Sequence, residues 1–223
     1  AILAHLAFGV WVPWAEIPRT GIEGIDRGLI AHAAQLGHRV RLVARASRTA
    51  DGLAMRVAPA LVKAGTPLAE TRGAYNAVSI VGDAVGRMFF HGLGAGQMPT
   101  ASAVVADIID TVVGRAAITF RTTGMLDAEA ARIGGDLQER HFLRVAASDR
   151  PGVLSRITGI LGEHRISIAS MIQHEPSGAS GAAVPLVILT HACGAQAMAK
   201  AVAHIDASDV VAGRSVCLSV LEE

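Results

Sequence analysis

The stretch from residue 89 to residue 107 constrains this chain most. It reads Phe89-Phe90-His91-Gly92-Leu93-Gly94-Ala95-Gly96-Gln97-Met98-Pro99-Thr100-Ala101 and continues as Ser102-Ala103-Val104-Val105-Ala106-Asp107. A strand-like aromatic run enters a glycine loop, and the loop enters a helical pattern over residues 101–113 in which Val104, Ile108 and Val112 share a face. Gly94 and Gly96 carry no Cβ, so the loop backbone can approach another group closely. The helix start adds a partial positive charge. Thr100 is expected to cap that helix. Pro99 stands where G-x-G-x-x-G would have its third glycine. Read alone, the segment fits either a tight strand-to-helix turn or a cradle for an anionic ligand.

A second turn, Ser148-Asp149-Arg150-Pro151-Gly152-Val153-Leu154, opens a smaller module. Pro151 fixes φ at a helix entrance and Gly152 permits close backbone approach. Around it the pattern is strand (142–147), helix (153–164), strand (166–173), strand (184–190), helix (195–205), strand (214–220). Val153, Ile157, Ile160 and Leu161 should face inward on the first helix. The two middle strands are expected to meet across a Gly/Ser turn at 177–181. This βαββαβ order is the ferredoxin-like plan.

The first ninety residues read as helices on a mainly antiparallel sheet. Ile2, Leu3, Leu6 and Ala7 share a helical face, and Gly9 can close that helix in a left-handed cap. Asp26 is a candidate N-cap for a helix over residues 27–36, with Gly37 just beyond it. Val40, Leu42 and Ala44 alternate with Arg39, Arg41 and Arg45, as in a half-buried strand with a charged outer face. Asp51-Gly52 turns into a second strand bearing Leu53, Met55 and Val57. Residues 74–81 and 87–91 make two more. The fold class expected is therefore α+β, a mainly antiparallel sheet with helices followed by a ferredoxin-like βαββαβ module. The divisions expected are 1–115, a linker at 116–139, and 140–223.

The 223 residues are 51% hydrophobic and 17% charged, the balance of a folded chain with room for two domains. Aromatics are only 4%, so the core must be built from Ala, Val, Ile and Leu. A net charge of +1 gives no electrostatic case for nucleic acid or an anionic membrane. No apolar run reaches the roughly 18 residues of a membrane span. Residues 1–12 contain His5 and lack a basic leader, so they read as a helix interior rather than a signal peptide, and a cytoplasmic location is expected. Cys193 and Cys217 lack metal or CxxC spacing and read as buried reduced thiols. His5, His32, His38 and His91 show no convergent metal spacing. His141, His164 and His174 read as surface residues. Lys63, Lys200, Asp107 and Asp110 read as solvated. No metal site is expected, and no catalytic residue is assigned on this chain.

The stretch Gly73 to Asp110, with Tyr75-Asn76-Ala77-Val78 and Gly82-Asp83-Ala84-Val85-Gly86, resembles homoserine dehydrogenase. So do residues 4–9, Glu23-Gly24-Ile25 and Ala34-Gln35-Leu36-Gly37. The turn at 148–154 and its βαββαβ frame resemble an ACT domain. The resemblance implies the C-terminal part of an enzyme that reduces L-aspartate 4-semialdehyde to L-homoserine with NADPH or NADH, in threonine and methionine biosynthesis. It implies that Gly94, Ala95, Gly96 and Thr100 line the NADP or NAD cofactor, on a helix returning to the nucleotide-binding domain. It implies a homo-oligomer, dimer or tetramer. It implies an amino-acid effector, L-threonine the natural candidate, near Asp149, Gly152 and Gln173. A purely dimerising ACT fold is the other reading of that module. The family's G-x-G-x-x-G segment is absent from these residues, and its catalytic lysine would fall just before Ala1, so the chain alone is expected to be inactive. Two alternatives are a free-standing ACT-type regulatory subunit and a structural dimer module.

Overall fold

A computed structural model describes residues 1–122, 133–173 and 183–222. In chain order the first elements are α1 (Ile2–Phe8), a 3-10 turn (Trp14–Glu16), α2 (Arg27–Gln35), β1 (His38–Thr49), β2 (Gly52–Lys63) and α3 (Pro67–Glu70). Next come β3 (Tyr75–Gly82), β4 (Gly86–Leu93), α4 (Gln97–Val112) and α5 (Arg115–Thr122). The last are β5 (Gln138–Ala147), α6 (Val153–Glu163), β6 (Ile168–Gln173), β7 (Val184–Thr190), β8 (Cys193–Gly194), α7 (Ala195–Asp206) and β9 (Val216–Leu221). The Gly/Ser turn expected at 177–181 and His174 lie outside the described residues.

The chain forms two compact units, and they do not follow sequence order. One comprises Ala1–Pro18 and Ala64–Ile133, the other Arg19–Lys63 and Gly134–Glu223. Within the second, the strands run β1-β2-β9-β5-β7-β6, with β8 pairing β5. The block β9-β5-β7-β6 is the antiparallel ferredoxin-like sheet. The β1–β2 hairpin extends it through parallel pairing of β2 with β9, Ala60 opposite Ser219, Leu61 opposite Val220 and Val62 opposite Leu221.

Each strand's alternation decides which helix it meets. Leu143, Val145 and Ala147 of β5, with Leu186 and Ile188 of β7, pack with Val153, Ile157, Ile160 and Leu161 of α6 and Met198, Ala201 and Ile205 of α7. The intervening Phe142, Val187, Leu189, Leu218 and Val220, with Leu61 of β2, pack with Leu29 and Ala33 of α2. The sheet thus lies between α2 and the α6/α7 pair. Each fully buried Leu, Phe or Val in it is worth roughly 1.5–3 kcal/mol relative to exposure.

Local signals set α2 where expected. Asp26 Oδ1 accepts from the Leu29 backbone N–H at 2.7 Å, and Gly37 follows the helix at φ 72°. The same carboxylate grips Arg144 of β5 in a two-pronged pair, Oδ1 at 2.7 Å and Oδ2 at 2.5 Å. The Arg144 guanidinium and the Leu29 amide hold Asp26 well below the usual carboxylate range.

The structure corrects the expectation that the strands of residues 38–91 share one sheet. β3 and β4 form a two-stranded sheet of their own, Tyr75 opposite Leu93 through Gly82 opposite Gly86. The linker expected at 116–139 begins as helix α5: Gly114 at φ 77° ends α4, and the Arg115–Thr122 run, which opens on Ala116 and Ala117, restarts helically. The charged outer face of β1 is also only partly solvated, since Arg45 ion-pairs with the buried Glu139 of β5.

Because the folded Asp26 pKa lies below its unfolded value, its contribution is complete above about pH 4 and lost as pH falls further. Asp26→Asn keeps a good cap but removes the charge. We expect it to cost about 1 kcal/mol or less at pH 7, given its exposure, and to flatten stability between pH 4 and 2. Urea melts across that range check this; an unchanged acid profile would contradict it.

Candidate functional site

The glycine loop joins β4 to α4 in the first unit. Gly94 N–H donates to the Ala74 carbonyl at 3.1 Å, which closes the β3–β4 hairpin beneath the loop. A Cβ at Gly94 would overlap the Asn76 side-chain amide. Gly96 sits at φ 126°, a conformation L side chains rarely adopt, and serves as N-cap of α4. No side chain caps that helix. Gly96 has no side chain to offer, so the first-turn amides keep their capacity to meet a ligand.

Thr100 does not cap the helix, contrary to expectation. α4 starts at Gln97, and the Thr100 amide already donates to the Gly96 carbonyl at 3.1 Å. Pro99 falls in the first turn, where its missing N–H costs no intrahelical bond. Thr100 therefore offers the loop only its hydroxyl. At the neighbouring end of the hairpin, the Tyr75 and His91 rings stack at 4.8 Å, and Phe89 continues the row at 6.0 Å from His91. The 16-residue α4 buries none of its side chains, so Val104, Ile108 and Val112 are all exposed.

In the second unit, the turn Asp149-Arg150-Pro151-Gly152 joins β5 to α6. Its conformation is fixed from the β9 side. Ser148 N–H donates to the Val210 carbonyl at 2.9 Å, and the Arg150 guanidinium meets the Asp209 carbonyl at 3.1 Å and carboxylate at 2.9 Å. Gly152 caps α6 at φ 91°, and a Cβ built there meets open space. Gln173 ends β6 opposite Leu186, itself opposite Val145. That register puts Gln173 at the same end of the sheet as the turn, on the α6/α7 face, with β7 between them. A cavity of about 310 Å³ opens beside Gly152, with Arg156, Gly159 and Glu163 in its wall. Sequence reading missed Arg156 and Glu163; their spacing of seven, two helical turns, was the available signal.

The structure also corrects the placing of His141. It is buried, with Nδ1 3.5 Å from Cys193 Sγ, and its backbone N–H donates to Thr190 Oγ1 at 3.0 Å. It faces inward because odd-numbered residues of β5 all do. Desolvation pushes its pKa down. Desolvation also raises the Cys193 thiol and pushes Cys217 up to about 12. Both cysteines are free thiols. Elsewhere His5 Nδ1 lies 3.0 Å from the Val10 carbonyl, His38 Nδ1 2.7 Å from that of Leu36, and His164 packs edge-on to His204. Among the described residues no group of His, Cys, Asp and Glu has metal-binding geometry, and no helix is long and apolar enough to cross a membrane.

Residues 1–109 match the homoserine dehydrogenase family and residues 141–206 the ACT domain. The homoserine dehydrogenase of Pseudomonas aeruginosa is 34% identical across 98% of this chain and 52% of its own length. That of Mycobacterium tuberculosis is 33% identical across 96% and 51%. The chain belongs to the homoserine dehydrogenase family. It spans about half the length of the curated relatives it matches, corresponding to their C-terminal portion. The crystal structure of a homoserine dehydrogenase from Thiobacillus denitrificans superposes with a TM-score of 0.87 at 35% identity, over 99% of this chain and 51% of that one. A Staphylococcus aureus homoserine dehydrogenase shares the fold, with a TM-score of 0.65 at 21% identity, over 100% of this chain and 52% of that one. The alternative of a free-standing ACT-type regulator is set aside, because residues 1–109 carry homoserine dehydrogenase sequence.

Thiols held protonated by burial react slowly with alkylating agents. Both cysteines should resist iodoacetamide at pH 7.5 in the native chain and label fully in denaturant. Mass spectrometry reads this, and prompt native labelling of either would contradict the assignment.

Proposed function

We propose that this chain contributes the cofactor-facing loop, the oligomer contacts and an amino-acid sensor to a cytoplasmic homoserine dehydrogenase. The reaction is the reduction of L-aspartate 4-semialdehyde to L-homoserine, with NADP or NAD as the cofactor couple. The observation that carries the reading is the loop itself. Gly96 adopts a glycine conformation at the uncapped start of α4, within the part that matches the family. Gly94, Ala95 and Gly96 would hold the cofactor through backbone approach, and the Thr100 hydroxyl would stand one turn into the helix. The cofactor supplies the hydride. The residues of this chain position it and help exclude water.

The ACT module would bind an amino acid, L-threonine first among candidates, at the turn beside Gly152. First-turn amides of α6 and Arg156, in the cavity wall, suit a carboxylate, while Asp149 and the Gln173 carbonyl suit an ammonium. The β6 edge lies at the end of the sheet and would pair with a second copy in the dimer or tetramer.

The 223-residue chain should not oxidise NADPH in the presence of L-aspartate 4-semialdehyde. Turnover at roughly 1–1000 per second would overturn the division of labour proposed. In a complete enzyme containing this segment, Gly96→Val should raise KM for the nucleotide about tenfold or more and move the aldehyde KM less. Equal changes in both would argue against a cofactor contact.

L-Threonine at a hundredfold excess over Kd should stabilise the chain by about 2.7 kcal/mol, several degrees in Tm. Gly152→Val should abolish that shift while the chain still folds, at about 1–2 kcal/mol for a side chain at positive φ. No shift with any amino acid at millimolar concentration would leave the module with dimerisation only.

A further inference from the structure

Two charge anchors join α2 and the β1–β2 hairpin to the ACT module, and they use opposite faces of β5. On the α2 face, Arg144 holds both carboxylate oxygens of Asp26, the residue that also caps α2. On the α6/α7 face, Glu139 is almost fully buried and is gripped by Arg45 of β1 and Arg56 of β2, which stand opposite each other in the hairpin. A buried carboxylate between two guanidiniums is strongly coupled to both, since losing it leaves like charges facing each other. β2 is also bound to β9 through the parallel seam.

The effector turn is wired into the same elements. β5 runs straight into it at Ala147. From the other side, Ser148 and Ala146 bond to Val210 and Ala212, the segment that leads into β9. β9 in turn carries β2.

We propose that residues 19–63 and the ACT module form one cooperative body, so that capture of a ligand at the 148–152 turn acts on α2 and the β1–β2 hairpin with no hinge between them. The ligand half of this statement rests on the sensor reading above; the cooperative half does not. It differs from the picture drawn by the family matches, in which the break falls between residues 109 and 141. Stability is linked reciprocally in such a body: whatever protects the turn protects the hairpin by the same factor.

Hydrogen exchange followed by mass spectrometry on the intact 223-residue chain tests this in two arms. Without ligand, amides of β2 and of β5 and β9 should exchange through a common opening whose rates merge as urea is added. Glu139→Gln should speed both sets by a common factor of about ten or more. Asp26→Asn, a milder change, should speed both together by a smaller factor, and it decides the matter if Glu139→Gln does not fold. Faster exchange in the hairpin alone, with β5 and β9 unchanged, would overturn the proposal. In the second arm L-threonine is added. Equal slowing of β2 and the 148–160 segment supports it, and slowing confined to the ACT module overturns it. Slowing of neither, with L-threonine or any other amino acid at millimolar concentration, removes the sensor reading, and the ligand half with it, while the cooperative half is decided by the first arm.

Discussion

The short parallel seam between β2 and β9 governs the architecture of the larger unit. Three residue pairs, Ala60 to Ser219 through Val62 to Leu221, convert a four-stranded ferredoxin-like sheet and a separate hairpin into one sheet. β9 would otherwise present an open edge. The seam also gives Leu61 a place in the core with Phe142, Val220 and Leu218, beneath Leu29 and Ala33 of α2. The sheet therefore has no bare face along β5 and β7, and that is why these strands carry apolar residues on both sides. Residues assigned by family to two different modules share one hydrophobic core.

Electrostatics sharpen this arrangement rather than drive it. The Asp26–Arg144 pair is partly exposed and contributes modestly, but its geometry fixes where α2 begins relative to β5. The buried Glu139 is different in kind. Its charge is tolerable only because Arg45 and Arg56 converge on it, so it penalises any register of the hairpin that moves them away. Burial then shapes the neighbouring chemistry. His141 and the two thiols are pushed toward their neutral forms by the same desolvation.

Much of the local structure was legible in the residues. The Asp26 cap, the left-handed Gly9, the inward face of α6 and the βαββαβ order all follow from short-range patterns. The misreadings came from tertiary partners. Adjacent strands usually pair, so β1 to β4 read as one sheet; yet β2 found β9, far along the chain, and alternation alone cannot name such a partner. His141 read as a surface residue because its burial depends on a partner distant in sequence, Cys193 of β8, which meets its imidazole. Thr100 read as a cap because the helical pattern was started at residue 101, whereas α4 begins at Gln97 and its first turn accommodates Pro99. At the candidate cofactor loop the glycines were legible but their separate roles were not. Gly94 leaves room for Asn76, and Gly96 supplies the backbone conformation.

The claim on which the rest stands is that β2 and β9 are hydrogen-bonded neighbours. Nuclear Overhauser spectroscopy of the labelled chain reads this directly. Parallel pairing predicts cross-strand contacts from the backbone of residues 60–62 to that of residues 219–221, together with side-chain contacts between Leu61 and Val220. Contacts from β9 to β5 alone, with rapidly exchanging amides along the other edge of β9, would contradict it.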